Sequence, residues 1–114
     1  MALTHPLPEP LIELIAQRFR ALGEPMRIRI LERLREAPST VGELAAAVDT
    51  SQQNVSKHLS VLSSVGIVTR RREGTTAWYE IGDETVLRIC DEVCGAVQKQ
   101  VAELHQLLGE GAAR

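Results

Sequence analysis

The densest hydrogen-bonding chemistry in the chain lies at Gln52, Gln53, Asn54, Ser56, Lys57 and His58, six polar side chains within seven positions. Carboxamides make bidentate hydrogen bonds to adenine, and Lys or Ser reaches guanine or phosphate, so this cluster has the chemistry of base-edge recognition. A second set, Arg70, Arg71, Arg72 and Thr75, offers three guanidiniums and a hydroxyl suited to phosphates or a minor groove. The third set is sulfur. Cys90 and Cys94 are the only cysteines, and their i, i+4 spacing puts both on one helical face, a turn apart. Two such thiolates, or four across a two-fold axis, can hold a thiophilic ion such as arsenite, Cd, Zn or Cu(I). They can also serve as a redox or reactive-sulfur switch. Alternatively they only pack, since free cysteine behaves as a small hydrophobe.

Each set needs an element to present it. Thr50 with Gln53 has the spacing of a capping box, which opens a helix that Gly66 closes. Val55, Leu59 and Leu62 recur at helical spacing and form its anchoring stripe, leaving the amides and Lys57 on the remaining surface. Residues 67–72 (IVTRRR) and 76–81 (TAWYEI) are β-rich runs separated by a Glu73-Gly74 turn signal, which predicts a hairpin with the three arginines at its tip. Trp78 and Tyr79 then fall on opposite faces of the second strand, and one ring is expected to be buried. A helix-turn-helix followed by a basic hairpin is a winged helix, its helix suited to a major groove and its wing to neighbouring phosphates.

The run from Ala21 to Ile81 resembles the ArsR/SmtB family of dimeric bacterial repressors. The residues that carry the likeness are LGEPMRIRIL, VGELAAAV, SQQNVSKHLSVLSSVGIV and RRREGTTAWYEI. Its most specific element is Ser56-x-His58-Leu59 with the following Leu62 and Gly66. The resemblance implies a mostly α fold with a small β-hairpin wing, dimerised through the first and last helices. It also implies a repressor that binds a double-stranded DNA operator and is released by an inducer, with His58 a hydrogen-bonding residue near the DNA. It does not supply the inducer. The Cys-x-Cys that some members carry on the third helix is absent from VGELAAAV, and the positions of the zinc-type ligands fall at Asp83, Thr85, Ala96 and Lys99, of which only the aspartate matches. One carboxylate is not a zinc site. The persulfide-sensing branch pairs a cysteine on the second helix with one on the last, and this second helix has none.

Composition sets the outer bounds. A chain of 114 residues with 44% hydrophobic and 25% charged residues is one globular domain, small enough that a second copy would help it. No run is apolar enough to cross a bilayer and no signal segment is recognisable, so a cytoplasmic address without membrane attachment is expected. The net charge of −2 is unusual for a DNA-binding chain, but it is segregated: Ser51 to Tyr79 holds four bases and one acid, whereas Asp83 to Arg114 holds three bases and six acids.

The flanking elements follow from pattern. Pro6, Pro8 and Pro10 predict a flexible arm over 1–8, and a winged-helix DNA-binding and dimerisation domain is expected over 9–108. Leu11, Ile15, Phe19 and Leu22 predict a first helix with Phe19 in the core. Pro25 opens a second helix that packs Ile28, Leu31 and Leu34 inward. Thr40 with Glu43 caps a third. Gly82 and Asp83 precede the longest helix, roughly 84–108, whose Val86, Cys90, Val93, Val97, Val101, Leu104 and Leu108 form a near-heptad seam that wants a partner, with 109–114 a frayed tail. The reading is a homodimeric regulator, no enzyme, that needs no cofactor for DNA binding and leaves open a thiophilic metal or metalloid at Cys90 and Cys94. The rivals are a regulator with an organic ligand or none, and a winged-helix module that meets an acidic protein. A thiol enzyme using Cys94 with His105 lacks a nucleotide loop and an oxyanion-type turn.

Overall fold

The structure, a computed structural model, describes residues 5–112, with side chains described through Gly109. Residues up to Asp83 form one unit, and the last helix forms a second. The order is α1 (Glu9–Leu22), α2 (Pro25–Glu36), α3 (Val41–Ala47), α4 (Gln52–Ser64), β1 (Val68–Glu73), β2 (Thr76–Ile81) and α5 (Thr85–Ala112).

Each helix of the first unit has a local reason to start and stop. Pro8 caps α1, where missing N–H groups cost nothing. At its other end the Arg27 guanidinium donates to the Ala21 carbonyl at 2.7 Å and the Arg20 carbonyl at 3.4 Å, satisfying acceptors that the helix leaves open. The Glu24 carboxylate accepts from the Arg27 amide at 3.1 Å and caps α2, and extended Ala37 before Pro38 ends it. The box at α3 forms as the spacing predicts: Thr40 Oγ1 accepts from the Glu43 amide at 3.1 Å, and Glu43 Oε1 from the Thr40 amide at 2.9 Å.

At α4 the cap lies one residue later than expected. Ser51, not Thr50, accepts from the Asn54 amide, at 3.0 Å. Thr50 still belongs to the preceding turn, because its amide donates to the Ala45 carbonyl at 3.1 Å while Asp49 takes φ +53°. Its hydroxyl accepts instead from Asn54 Nδ2 at 3.1 Å. Gly66 ends the segment at φ +77°, a conformation that a Cβ disfavours.

The core of this unit joins Ile30, Leu31 and Leu34 from α2 with Leu44, Val55, Leu59, Leu62, Ile67 and Val68, all at 3% exposure or less. Each such side chain contributes about 1.5–3 kcal/mol of burial. Two expectations are corrected here. Ile28 is exposed and Ile30 is buried, because Ile30, Leu31 and Leu34 lie within about 100° of one another around the helix and Ile28 does not. Phe19 is 56% exposed, since it shares its face of α1 with Ile12 and Ile15 while Ala21 and Leu22 turn inward.

The wing is an antiparallel pair in the register Val68↔Ile81, Arg70↔Tyr79, Arg71↔Trp78, Arg72↔Ala77 and Glu73↔Thr76. Gly74 at φ +61° and Thr75 form the two-residue loop, the type II′ arrangement that matches strand twist. A backbone bridge that pattern reading missed ties the wing to the loop before α3: the Ser39 amide donates to the Tyr79 carbonyl at 3.0 Å, and the Tyr79 amide to the Ser39 carbonyl at 2.8 Å. Neither ring is buried; Trp78 and Tyr79 are both half-exposed.

The ends differ from expectation too. Residues 5–8 precede α1 without helix, and 1–4 of the expected arm lie outside the described residues. In the second unit α5 runs on to Ala112, so residues 109–112 of the expected tail belong to its last turn, and 113–114 lie outside the described residues. Along α5, Val93, Val97, Val101, Leu104 and Leu108 are exposed.

Candidate nucleic-acid interface

α4 is amphipathic in the sense that recognition requires. Val55, Leu59 and Leu62 are buried, which fixes the helix, and Gln52, Gln53, Ser56 and Lys57 stand exposed on its first two turns. Gln52 lies beside α3: a Cβ added at Gly42 would sit 3.6 Å from Gln52 Nε2.

Two members of the polar cluster are not free for this surface. Asn54 is half-buried, and its amide group donates to Thr50 as part of the turn. His58, expected near the DNA, is 7% exposed on the same side of α4 as Leu59 and Leu62. Its Nδ1 is buried without a hydrogen bond, and the nearest carboxylate oxygen is Glu24 Oε2 at 3.8 Å. The helical period places His58 inside, since it is three residues after Val55 and four before Leu62.

In the wing the three arginines are successive rungs of β1, not a cluster at the tip, and strand alternation divides them. Arg70 and Arg72 share a face with buried Val68 and with Tyr79. Arg71 points to the other face with Trp78 and Glu73, and its guanidinium is paired with the Glu73 carboxylate. Thr75 is exposed at the loop.

Between α4 and the first of these faces runs a groove of about 580 Å³, lined among others by Ser56, Ser60, Ser63, Arg70 and Tyr79. The hydroxyls at i, i+4 and i+7 make a polar stripe on the wing side of α4. Ser60 and Ser63 escaped sequence reasoning, although their spacing from Ser56 was available as a signal.

The sulfurs differ from one another. Cys90 is half-buried and Cys94 is exposed, both outside any disulfide. Among the described residues no group of three or more His, Cys, Asp or Glu side chains gathers to hold a metal ion. Asp83 instead pairs with Arg18, Oδ2 to Nη1 at 3.0 Å.

Comparison with known proteins agrees with this geometry. A helix-turn-helix domain family model matches residues 22–71. The HTH-type transcriptional regulator Rv0081 of Mycobacterium tuberculosis is 38% identical over 110 residues, 92% of this chain and 96% of that protein. Its crystal structure superposes with a TM-score of 0.75 at 34% identity, over 84% of this chain and 97% of that one. The HTH-type transcriptional repressor SmtB of the same species is 36% identical over 88 residues, 75% of this chain and 65% of its own length. The homodimeric winged helix-turn-helix DNA-binding domain of Mb0332 from Mycobacterium bovis matches with a TM-score of 0.76 at 27% identity, over 88% of this chain and 95% of that one. With five helices, a two-stranded wing and relatives of this kind, the chain belongs to the ArsR/SmtB family of winged helix-turn-helix transcriptional repressors.

Proposed function

We propose that the protein is a cytoplasmic homodimeric repressor that binds an imperfect inverted-repeat operator. The observation that carries this reading is the split character of α4, whose buried stripe fixes a helix that offers Gln52, Gln53, Ser56 and Lys57 to a major groove. Asn54 orders the turn that starts this helix, and Arg70, Arg72 and Thr75 reach the backbone or minor groove. Two copies related by a two-fold axis place their α4 helices about one helical turn, roughly 34 Å, apart. The dimer is supported by apolar stripes unpartnered within their own units: Ile12, Ile15 and Phe19 on α1, and Val93, Val97, Val101, Leu104 and Leu108 on α5. Fluorescence anisotropy with DNA from upstream of the protein's own coding region, against a scrambled duplex, tests the operator reading. Equal affinity for the two duplexes at every salt concentration would sink it.

A second reading concerns control. Cys94 lies at the flank of the α5 stripe and is exposed in the protomer where Cys90 is half-buried, so it is the sulfur of the pair that does not pack within its own chain. Within a protomer the pair supplies two sulfurs, so a thiophilic ion held there is two-coordinate or is completed by the partner subunit. Release of operator by arsenite, Cd, Zn, Cu(I), polysulfide or mild peroxide in wild type, and not in a Cys90→Ser/Cys94→Ser variant, is the expected result. Equal binding by both proteins under every condition would assign the cysteines to packing.

A further inference from the structure

A furrow on the far side of α4 from the wing runs between α1, the start of α2 and the last turn of α4. One part, about 350 Å³, is lined by Gln17, Arg20, Ala21, Arg27, Val61, Ser64 and Val65; the other, about 290 Å³, shares Gln17, Ser64 and Val65 and adds Leu14 and Arg18. Its size is in the range of small-molecule sites. Its lining is amphipathic, with Arg20 and Arg27 in the first part, Arg18 in the second, and Leu14, Val61 and Val65 beside them, and among the described residues no carboxylate lines either part.

The three arginines are not equivalent. Arg18 is engaged by Asp83. Arg27 gives Nε to the Ala21 carbonyl and Nη2 to the Arg20 carbonyl. Of the three guanidiniums that of Arg20 alone is without a hydrogen bond or ion pair among the described residues, and the side chain is exposed where it lines the furrow. One open guanidinium fork beside a second, anchored one matches a single carboxylate better than a dianionic phosphate. Leu14 is 58% exposed and lies on the furrow side of α1, apart from the Ile12, Ile15 and Phe19 stripe, so dimerisation through that stripe leaves it uncovered.

We propose that this furrow binds a monocarboxylate with an apolar body, its head group on Arg20 and its tail along Val61, Val65 and Leu14. Because Val61 and Ser64 belong to α4, occupancy bears on the recognition helix itself. The site is read without DNA, so it stands or falls separately from the operator reading.

The test is a methyl NMR titration of the full chain with octanoate, with octan-1-ol and octylammonium as neutral and cationic counterparts. Saturable shifts at Val61, Val65 and Leu14 with octanoate, weakened about tenfold by Arg20→Ala and in part restored by Arg20→Lys, are expected. Octylammonium should leave these methyls unmoved. Absence of saturable shifts, or equal affinity for octanoate and octan-1-ol, overturns the proposal. So does an Arg20→Ala variant that binds octanoate like wild type; if that variant also flattens the salt dependence of DNA binding, Arg20 is a backbone contact. Arg20 is an exposed side chain on α1, so the variant is expected to fold, and a dispersed amide spectrum checks this.

Discussion

Removing Arg70 and removing Arg71 should have different consequences for DNA binding, although the two are neighbours in sequence. Arg70 stands on the wing face that borders the serine-lined groove. Arg71 stands on the opposite face and is already paired with Glu73. Each phosphate contact contributes about 0.9 to the slope of log affinity against log salt, so losing Arg70 from both wings of a dimer should flatten the slope by about 1.8. Between 50 and 200 mM salt, a fourfold change, that difference corresponds to roughly twelvefold in the ratio of affinities. The informative partner is the Arg71→Ala/Glu73→Ala double variant, which removes the outward ion pair without changing net charge and should leave the slope within about 0.3 of wild type. Arg71→Ala alone leaves Glu73 unneutralised near phosphates and so weakens binding for a different reason. Anisotropy titrations at four salt concentrations measure all three. A double variant that flattens the slope as much as Arg70→Ala would falsify the division of the wing into a DNA-facing and a self-neutralised side.

Other outcomes follow from the helix ends and the core. Ser51→Ala should cost about 1 kcal/mol in chemical denaturation, and Thr50→Ala clearly less, because the hydroxyl that serves an orphan helix amide belongs to Ser51. Leu62→Ala removes a fully buried side chain and should cost about 2–5 kcal/mol. His58→Leu should leave thermal stability unchanged or raise it by up to about 1 kcal/mol, since an unbonded buried nitrogen is replaced by an apolar group, and operator affinity should stay within about twofold; a tenfold loss would restore His58 to the DNA surface. Phe19→Glu together with Val97→Glu should yield folded monomers by sedimentation, because neither side chain is part of a protomer core.

What could be read in advance was set by local rules. The Thr40 and Glu43 box, the Val55, Leu59 and Leu62 stripe, and the hairpin about Gly74 are decided within a few residues, and all appear in the structure as their spacing implies. The misses have non-local causes. Thr50 and Ser51 compete for the same cap, and the turn that holds the Thr50 amide to Ala45 decides between them. Phe19 and Ile28 are apolar residues on helices whose other faces won the core, which no apolar count reveals. His58 was placed by analogy with a motif, whereas helical phase alone put it beside Leu59 and Leu62. The opposed faces of Arg70 and Arg71 were legible from strand alternation, but the pairing of Arg71 with Glu73 required coordinates. Ser39 and Tyr79 meet across forty residues, beyond the reach of any window.

That last meeting separates the wing into two mechanical parts. The rungs from Val68 to Arg70 are held at Tyr79 by a third segment of backbone, while the rungs from Arg71 to Glu73 form a free two-stranded ribbon beyond the anchor. Length can therefore be added at Gly74 and Thr75 without disturbing the base on which the helix-turn-helix rests. Two residues added to each strand would extend the ribbon by about 6.8 Å, the axial rise of two base-pair steps along one DNA strand. One new pair would face the groove and the other would face outward. On the proposed reading of the wing as a backbone contact, it is a caliper with a fixed jaw and an adjustable one, and the span it would grip lengthens two base pairs at a time.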